Sequence, residues 1–417
     1  MRILKLTAAV ERRYVEGRQQ RDTQAERVAA RIVADVRRRG DVALRHWTMK
    51  LDGVDLRKTG LWVSQLEMAA ARKRVSANFL GAARHAIRNL ESVAQQQLPA
   101  PWRITVEPDV SISQMVRPID SIGCYVPGGK FALVSSLMMT VVPARVTGVR
   151  ETVVVCPKPN AELLAVAHLL GVRRLARLGG AQAIAALAYG TKTVPRVEKI
   201  FGPGNRYVTA AKQMVSADCA IDLPAGPTEA IILAAEGDPC WIAADLLAQS
   251  EHAADAGSFL VTTSSRLARK VRHALDEQLK GLPPGNPAHK SLRRAGAILV
   301  APSLAAARDF VNRFAPEHLS LVGRTEHVLS QIHSAGTVFL GRWAAQPLGD
   351  YASGSNHVLP TAGWARRRGG LSTADFVKCV SVQSIGRSGF ERLAGDVQTL
   401  ARVEGLTAHA NAIEVRR

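Results

Sequence analysis

A short apolar run, Thr-Val-Val-Val-Cys at residues 152–156, is typical of a buried β-strand, and a helical pattern follows it over residues 161–170. A second strand pattern at residues 174–178, the turn Gly179-Gly180 and a second helical pattern at residues 183–189 repeat this unit. Such alternation predicts parallel strands joined by crossover helices. We therefore predict an α/β fold built on a doubly wound sheet.

The same alternation extends to both sides of this stretch. Upstream, a strand pattern at residues 122–126 ends in a Gly-rich turn, and downstream residues 199–201 lead into the turn Gly-Pro-Gly-Asn at residues 202–205. A second series of strand and helix patterns begins at residue 230. The sequence thus predicts two Rossmann-like doubly wound domains, neither with the dinucleotide fingerprint Gly-x-Gly-x-x-Gly. Small helical segments are expected at both ends of the chain.

The composition is that of a folded protein without a membrane segment. Hydrophobic residues make up 47% of the 417 residues, yet no apolar run approaches the roughly 18 residues that a membrane helix requires. The N-terminus reaches charged residues too early to contain the apolar core of a signal peptide. The five cysteines are scattered and never spaced as Cys-x-x-Cys, which argues against a disulfide framework or a zinc ribbon. We predict a cytoplasmic protein with no membrane partner, in which histidine, carboxylate or amide groups hold any metal.

The chain carries a net charge of +20, from 55 lysines and arginines against 35 aspartates and glutamates. Such an excess occurs in proteins that bind nucleic acid or other polyanions, so a non-catalytic binding protein is one hypothesis. The arginines are spread along the chain, however, and aromatic residues, which stack on bases, make up only 5% of it. We predict that nucleic acid is not a partner.

Residues 242–252 have the apolar spacing of an amphipathic helix that ends near His252. Gln249 and His252 are three residues apart, so they lie on one face of this helix, one turn from each other. An amide oxygen and an imidazole nitrogen supply half of a metal site that is harder than an all-thiolate site. Taken alone, such a pair is also typical of an ordinary helix surface, so the interpretation requires further ligands from elsewhere in the chain.

Three polar residues, Tyr125, Gln182 and Asn205, each follow a strand pattern and lie beside glycines. Doubly wound sheets bind ligands at the carboxyl ends of their strands, so we expect these residues on one rim. Glycines in such turns let backbone amides approach a phosphate group. The alternative, that these glycines serve only tight turns, stays open at this point because the fingerprint is absent.

Six blocks of sequence, in their order along the chain, resemble the histidinol dehydrogenase family, and the similarity covers nearly the whole chain from about residue 20. Several blocks are long and unusual, so chance matching is negligible. They lie at residues 202–208 (Gly-Pro-Gly-Asn-Arg-Tyr-Val), 224–229 (Pro-Ala-Gly-Pro-Thr-Glu), 246–252 (Leu-Leu-Ala-Gln-Ser-Glu-His), 315–319 (Ala-Pro-Glu-His-Leu), 349–360 (Gly-Asp-Tyr-Ala-Ser-Gly-Ser-Asn-His-Val-Leu-Pro) and 404–409 (Glu-Gly-Leu-Thr-Ala-His).

The resemblance implies a zinc-dependent and NAD-dependent enzyme of histidine biosynthesis that oxidises L-histidinol to L-histidine through an aldehyde. The positions that match the family's ligands for one zinc ion per subunit are Gln249, His252, Asp350 and His409. The positions that match its catalytic acid–base pair are Glu317 and His318. The positions that match its NAD contacts are Tyr125, Gln182 and Asn205. The positions that match its substrate contacts are Thr228, Gln249, His252, His318, Asp350, His357, Glu404 and His409.

The resemblance also assigns roles to segments of the chain. The predicted segments are an N-terminal helical segment (1–20), a metal-binding and catalytic α/β domain (21–121 and 229–371), an NAD-binding α/β domain (122–228) and a C-terminal helical tail (372–417). In this family His357, Glu404 and His409 reach into the site of the neighbouring subunit. An intertwined homodimer with shared active sites is therefore implied.

Two positions depart from the family's pattern. Thr228 stands where the family commonly has serine, and its additional methyl group would crowd a small substrate. Lys130 and Phe131 replace the usual small and polar residues beside the predicted cofactor rim. With the net charge of +20, these changes fit an alternative, a paralogue that oxidises a different small amino or anionic alcohol with NAD and zinc. The matches at His357 and Glu404 favour histidinol itself.

Overall fold

A computed structural model describes residues 1–18, 22–128, 133–224 and 226–417. Lys130 and Phe131 lie outside these described residues. The strands are β1 (Arg2–Lys5), β2 (Trp102–Glu107), β3 (Val110–Pro118), β4 (Ser121–Tyr125), β5 (Glu151–Val155), β6 (Arg174–Ala176), β7 (Lys199–Phe201), β8 (Ala220–Ile221), β9 (Glu229–Ala234), β10 (Gly257–Thr262), β11 (Ala297–Val300), β12 (His318–Val322), β13 (Thr337–Leu340) and β14 (Val377–Ile385).

The α-helices of the described residues alternate with these strands through both sheet regions. They are α1 (Ala8–Glu16), α2 (Thr23–Arg39), α3 (Asp41–Trp47), α4 (Leu56–Thr59), α5 (Gln65–Arg72), α6 (Ala77–Gln97), α7 (Val134–Thr147), α8 (Ala161–Leu169), α9 (Gly180–Tyr189), α10 (Arg206–Val215), α11 (Pro239–Ser250), α12 (Ser265–Lys280), α13 (Ala288–Arg294), α14 (Leu304–Phe314), α15 (Gln346–Tyr351), α16 (Arg387–Val403) and α17 (Thr407–Glu414). A π-helix spans Thr48–Asp52, and 3₁₀-helices span Glu326–Gln331, Trp364–Arg366 and Thr373–Phe376. Within the described ranges, no helix is both long and apolar enough to cross a bilayer.

One sheet is six-stranded and parallel, with the order β1-β11-β10-β9-β12-β13. Successive residues of β9 point to opposite faces of this sheet. Ile231 and Leu233 pack in one core with phenylalanines of α14, whereas Ile232 and Ala234 pack in another with α11 and α12. Because helices cover both faces, the strands are continuous apolar runs rather than alternating ones.

The second parallel sheet is five-stranded, with the order β6-β5-β4-β7-β8. The chain moves outward from β4 to β6 and then returns to the other side of β4 for β7, so the order reverses between β4 and β7. This reversal point is where doubly wound sheets bind ligands. The predicted α/β fold with parallel sheets is confirmed.

The helices between residues 23 and 97 pack on the five-stranded sheet. Ala29, Ile32 and Val36 of α2 share a core with residues of α9 and α10. On the opposite face, Met68 of α5 and Leu90 of α6 lie in the core that covers β4 and β5. The predicted grouping of residues 21–121 with residues 229–371 differs from this arrangement, because periodicity identifies an apolar face but not the sheet that covers it.

Both ends of the chain contain strands where only helical segments were predicted. β1 extends the edge of the six-stranded sheet, in parallel register with β11 from Arg2↔Ala297 to Lys5↔Val300. β14 pairs antiparallel with β3, which also pairs with β2, and these strands form an exposed three-stranded sheet. The four residues of β1 are too few to show a period, whereas Val380 and Val382 of β14 alternate with polar residues as a strand does.

Candidate active site

The predicted metal helix is α11. Asp238 caps its N-terminus by accepting a backbone hydrogen bond, and Pro239 occupies the first helical position, where no amide donor is needed. Gln249 is fully buried in the last turn, and His252 follows the helix end with an exposed side chain. The side-chain amide of Gln249 donates a 3.0 Å hydrogen bond to the Thr228 hydroxyl. The end of α11 thus reaches the edge of the six-stranded sheet where β9 begins.

The predicted acid–base pair, Glu317 and His318, lies where β12 begins, next to the start of β9. The strand register pairs His318 with Ala230, which brings Thr228 and Glu229 beside Glu317. The Thr228 hydroxyl and the Glu229 amide donate hydrogen bonds of 2.6 and 2.9 Å to Oε2 of Glu317. This part of the site therefore lies at the amino ends of parallel strands, whereas ligands of such sheets usually bind at the carboxyl ends.

The imidazole of His318 lies between two carboxylates. Its Nδ1 is 3.7 Å from Oε2 of Glu317, and its Nε2 is 3.7 Å from Oδ1 of Asp350. Both ring nitrogens are buried, and within the described residues neither makes a hydrogen bond. The second carboxylate oxygen of Asp350 is 3.7 Å from Nε2 of His252. Asp350 therefore joins both imidazoles in one cluster.

The close approach of these groups shifts their pKa values. Burial raises the pKa of Glu317, and the neighbouring His318 opposes that shift. Burial disfavours the charged form of His318, but Glu317 and Asp350 outweigh it and raise the pKa of the imidazole. Burial also disfavours the ionised form of Asp350, but His252 and His318 hold the pKa of that carboxyl well below its usual range.

The predicted zinc ligands have donor chemistry that fits the ion. Zinc–ligand distances of about 2.0–2.2 Å place neighbouring donors of a tetrahedral site about 3.3–3.6 Å apart. The separation of 3.7 Å between Nε2 of His252 and Oδ2 of Asp350 is close to that spacing. Within the part of the chain that the structure describes, no group of three His, Cys, Asp or Glu side chains could hold a metal. The other two predicted ligands are Gln249 and His409, and the role of all four as zinc ligands stays a prediction.

His357 lies beside the same cluster. Its Nδ1 is 2.9 Å from the carbonyl oxygen of Asp350, and its Nε2 is 3.5 Å from the Ser136 hydroxyl in α7. Burial lowers the pKa of His357. Because α7 follows β4, this contact joins the cluster to the carboxyl-end edge of the five-stranded sheet. The prediction that His357 reaches the neighbouring subunit is wrong, since it belongs to the cluster of its own chain.

The three predicted NAD contacts lie at the carboxyl-end edge of the five-stranded sheet. Tyr125 ends β4, and its hydroxyl accepts a 3.1 Å hydrogen bond from the Gly180 amide at the start of α9. Gln182 is fully buried in the first turn of α9. Asn205 caps α10, because its side-chain oxygen accepts two backbone hydrogen bonds. The structure thus gathers them on one rim, and their role as NAD contacts stays a prediction.

The two remaining predicted residues, Glu404 and His409, lie apart from this cluster. Both are exposed, Glu404 just after α16 and His409 in α17. They belong to a C-terminal arm (residues 377–414), in which α16 and α17 pack on each other and β14 pairs with β3. Within the described residues, no hydrogen bond or ion pair joins either side chain to Glu317, His318 or Asp350. A single chain therefore does not assemble the whole predicted site.

Some polar residues that contact predicted site residues were themselves not predicted. They are Asp52 beside Gln182, Glu229 beside Glu317, and Gln346 beside Gln249. Glu229 forms a buried ion pair with Arg18 at 2.5 Å. Burial raises the pKa of Glu229 to about 7, and Arg18 opposes that shift. These contacts join residues far apart in the chain, so no local pattern indicates them.

Comparison with known proteins decides the family. The profile described as histidinol dehydrogenase matches residues 15–417. The histidinol dehydrogenase of Moorella thermoacetica is 45% identical over 402 residues, which cover 94% of this chain and 95% of that protein. This chain belongs to the histidinol dehydrogenase family. The histidinol dehydrogenase of Methanosarcina mazei is 44% identical over 394 residues, which cover 92% of this chain and 90% of that protein.

The fold agrees with this membership. The crystal structure of histidinol dehydrogenase from Elizabethkingia anophelis has a TM-score of 0.93 at 34% identity, and the alignment covers 100% of this chain and 98% of that one. The resemblance to the histidinol dehydrogenase family that the six sequence blocks indicated is confirmed. The predicted class of enzyme, an oxidoreductase, is confirmed with it.

Proposed function

We propose that this chain oxidises L-histidinol to L-histidine through histidinal, with one zinc ion per subunit and two molecules of NAD, in histidine biosynthesis. The observation that carries the proposal is the cluster of Glu317, His318 and Asp350 in a chain of the histidinol dehydrogenase family. An imidazole between two carboxylates is suited to exchange a proton with an alcohol.

In the proposed first oxidation, His318 accepts the proton of the substrate hydroxyl group. Its buried ring nitrogens make no hydrogen bond within the described chain, so a bound alcohol can reach one of them without displacing a partner. The four predicted zinc ligands would hold the ion, which would act as a Lewis acid and fix the substrate's amine and imidazole nitrogens. The three rim residues would contact NAD, which takes up the electrons of both oxidations.

For the second oxidation, we propose that Glu317 activates the water that adds to the aldehyde. The Thr228 hydroxyl and the Glu229 amide fix one oxygen of this carboxylate. A carboxyl group in a buried position with a raised pKa is suited to general base catalysis near neutral pH. Thr228, His357 and Glu404 would contact the substrate, the last of them from the partner chain.

We also propose an intertwined homodimer with shared active sites. Large apolar side chains are exposed on the C-terminal arm, namely Val380, Val382, Ile385, Leu400, Val403 and Leu406. Apolar surface of this kind is typical of an interface between proteins. In such a dimer the arm would bring Glu404 and His409 to the cluster of the partner, which supplies the donor that a single chain lacks.

Mixing two inactive variants tests the shared site. His318→Asn and His409→Asn are each expected to be inactive alone, whereas mixed dimers contain one site with both native residues, so that about a quarter of the parent activity returns. The measurement is NADH formation from L-histidinol after co-expression. A mixture of His318→Asn with Glu317→Gln is the control and stays inactive, because both changes affect the same chain's cluster. A His318→Asn and His409→Asn mixture without activity contradicts shared sites.

Metal analysis tests the zinc ligands independently of turnover. We expect His252→Asn to purify with far less zinc than the parent chain, because a neutral amide replaces one of two imidazole donors. His327→Asn serves as the matched control, since His327 is exposed and has no role in the site. Removal of zinc from the parent by a chelator is expected to abolish activity, and added Zn²⁺ to restore it. Equal zinc contents in the two variants contradict the assignment.

The direct test of the proposed reaction is the yield of NADH from L-histidinol. Two successive oxidations predict two NADH for each histidinol consumed. If the zinc-loaded chain forms no NADH from L-histidinol, the proposal is contradicted. That result would favour the alternative, a paralogue that oxidises a different alcohol, and the chain is then tested on other small amino and anionic alcohols.

We further propose that the six-stranded half of the molecule is the metal-binding and catalytic part, and the five-stranded half the NAD-binding part. The position of the acid–base cluster on one sheet and of the glycine-rich rim on the other supports this division. A cytoplasmic location, without nucleic-acid or membrane partners, also remains a proposal. The five cysteines, which are unpaired in the described residues, are consistent with that location.

A further inference from the structure

Asp52 and Gln182 form a hydrogen-bonded pair on the rim of the five-stranded sheet, although 130 residues separate them in the chain. Asp52 is the last residue of the π-helix Thr48–Asp52, and Gly53 follows it in the left-handed conformation with φ 64°. π-Helices are rare and are frequently found at functional sites. This backbone places an acidic side chain beside the first turn of α9.

The side chain of Gln182 has one satisfied end and one unsatisfied end. Its Nε2 donates a 2.8 Å hydrogen bond to Oδ2 of Asp52. Its Oε1 is buried and, within the described residues, has no hydrogen-bond partner. The amide lies against Gly180, where an added Cβ would overlap Oε1. A buried carbonyl oxygen without a donor is costly, so this position favours a ligand that supplies one.

Asp52 determines which end of the amide is free. Burial raises the pKa of Asp52 to about 6, and Lys158 opposes that rise, so the ionised form of the carboxyl group predominates above that pH. An ionised carboxylate only accepts hydrogen bonds, and Nε2 of Gln182 lies 2.8 Å from Oδ2 of Asp52. The NH₂ group of Gln182 must therefore face Asp52, which leaves the carbonyl oxygen for a ligand.

We propose that Asp52 is a positioning residue that makes Gln182 present a hydrogen-bond acceptor to the bound dinucleotide. The matching group on the dinucleotide is a donor, namely the carboxamide N–H of the nicotinamide, a ribose hydroxyl or the adenine amino group. A phosphate does not match, because its oxygens are themselves acceptors. The inference rests on the proposed function, because it assumes that the rim binds NAD.

Equilibrium binding of NADH to the zinc-loaded dimer tests this role without turnover. In Asp52→Asn the new amide can donate to Oε1 of Gln182, which removes the free acceptor or turns its NH₂ group towards the ligand. We expect NADH to bind about 10- to 100-fold more weakly, with the KM for L-histidinol within twofold of the parent. Asp55→Asn is the matched control, since Asp55 caps α4 on the same segment and asparagine also caps helices. NADH affinity unchanged in Asp52→Asn overturns the proposal.

A double-mutant cycle distinguishes positioning from a direct effect of charge. In a Gln182→Met background, Asp52→Asn is expected to change NADH affinity by less than twofold, because its effect acts through the missing amide. If Asp52→Asn lowers NADH affinity equally in the parent chain and in Gln182→Met, the proposal is overturned.

The analogue 3-acetylpyridine adenine dinucleotide, in which a methyl group replaces the NH₂ of the nicotinamide carboxamide, tests whether the carboxamide is the donor. If Asp52→Asn weakens binding of this analogue much less than binding of NAD, the donor is the carboxamide. If it weakens both equally, the donor is a ribose hydroxyl or the adenine amino group. Whether the parent chain binds NADH tests the proposed function. The ratio of the NADH dissociation constants of Asp52→Asn and of the parent tests the positioning role of Asp52.

Discussion

The His318→Asn variant is expected to lower kcat for L-histidinol oxidation by about 100- to 10,000-fold, the range typical of the loss of a general base. Asparagine is polar and fits the volume of the site, but it cannot take up a proton. His318 is buried between Glu317 and Asp350, and both of its ring nitrogens are unpaired in the described chain. The measurement is steady-state NADH formation by the zinc-loaded dimer.

A second Glu-His dipeptide provides the control for this experiment. His327 follows Glu326 at the surface, outside the cluster, so His327→Asn is expected to keep the parent kcat. Zinc content and the unfolding midpoint of His318→Asn show whether the buried substitution leaves the fold and the metal in place. A folded, zinc-containing His318→Asn variant with kcat within threefold of the parent would rule out His318 as the base.

Replacing Lys212 by methionine is expected to lower the free energy of unfolding by about 3–5 kcal/mol, the usual cost of removing one partner of a buried ion pair. The Lys212 ammonium pairs with Asp222 and donates a 2.9 Å hydrogen bond to the Gly202 carbonyl oxygen. Asp222 in turn accepts a 2.8 Å hydrogen bond from the Gly202 amide. The pair thus fixes both polar groups of the glycine that follows β7, where an added Cβ would overlap the carbonyl oxygen of Tyr125.

Urea denaturation of the variant and two companions tests this role. Lys270→Met, on the exposed face of α12, is the matched control and is expected to stay within about 0.5 kcal/mol of the parent. Adding Asp222→Asn to Lys212→Met removes the uncompensated buried charge and is expected to recover part of the lost stability. A loss below about 1 kcal/mol in Lys212→Met, or no recovery in the double variant, contradicts this account.

The local patterns of the sequence predicted the helices and strands of both parallel sheets, with ends close to those observed. The helical pattern at residues 242–252 corresponds to α11, and the strand patterns at residues 122–126 and 152–156 correspond to β4 and β5. The predicted rim is also present, because Tyr125 and Gln182 follow strands of one sheet. Apolar periodicity and turn residues are properties of contiguous segments, so these features are readable without tertiary contacts.

The predictions that differed concern contacts between distant segments. The prediction grouped residues 21–121 with residues 229–371, whereas the helices between residues 23 and 97 pack on the five-stranded sheet. It also assigned His357 to the neighbouring subunit, although His357 lies beside Asp350 of its own chain. The hydrogen bond between Asp52 and the amide of Gln182 was not predicted, because 130 residues separate the two in the chain. Contacts between distant segments depend on how their surfaces fit and become buried in the folded chain. No pattern within either segment indicates which other segment it will contact.

The sequence by itself determined the parallel α/β architecture and the family, because periodicity and contiguous motifs belong to the chain before it folds. It also predicted Glu317, His318 and the helical pair Gln249 and His252 as site residues. Only the tertiary structure decided that the predicted acid–base pair lies at the amino ends of β9 and β12, since that position follows from the register of two strands far apart in sequence. It also decided that Glu404 and His409 lie apart from this pair in one chain, because the arm that carries them packs on itself and on β3.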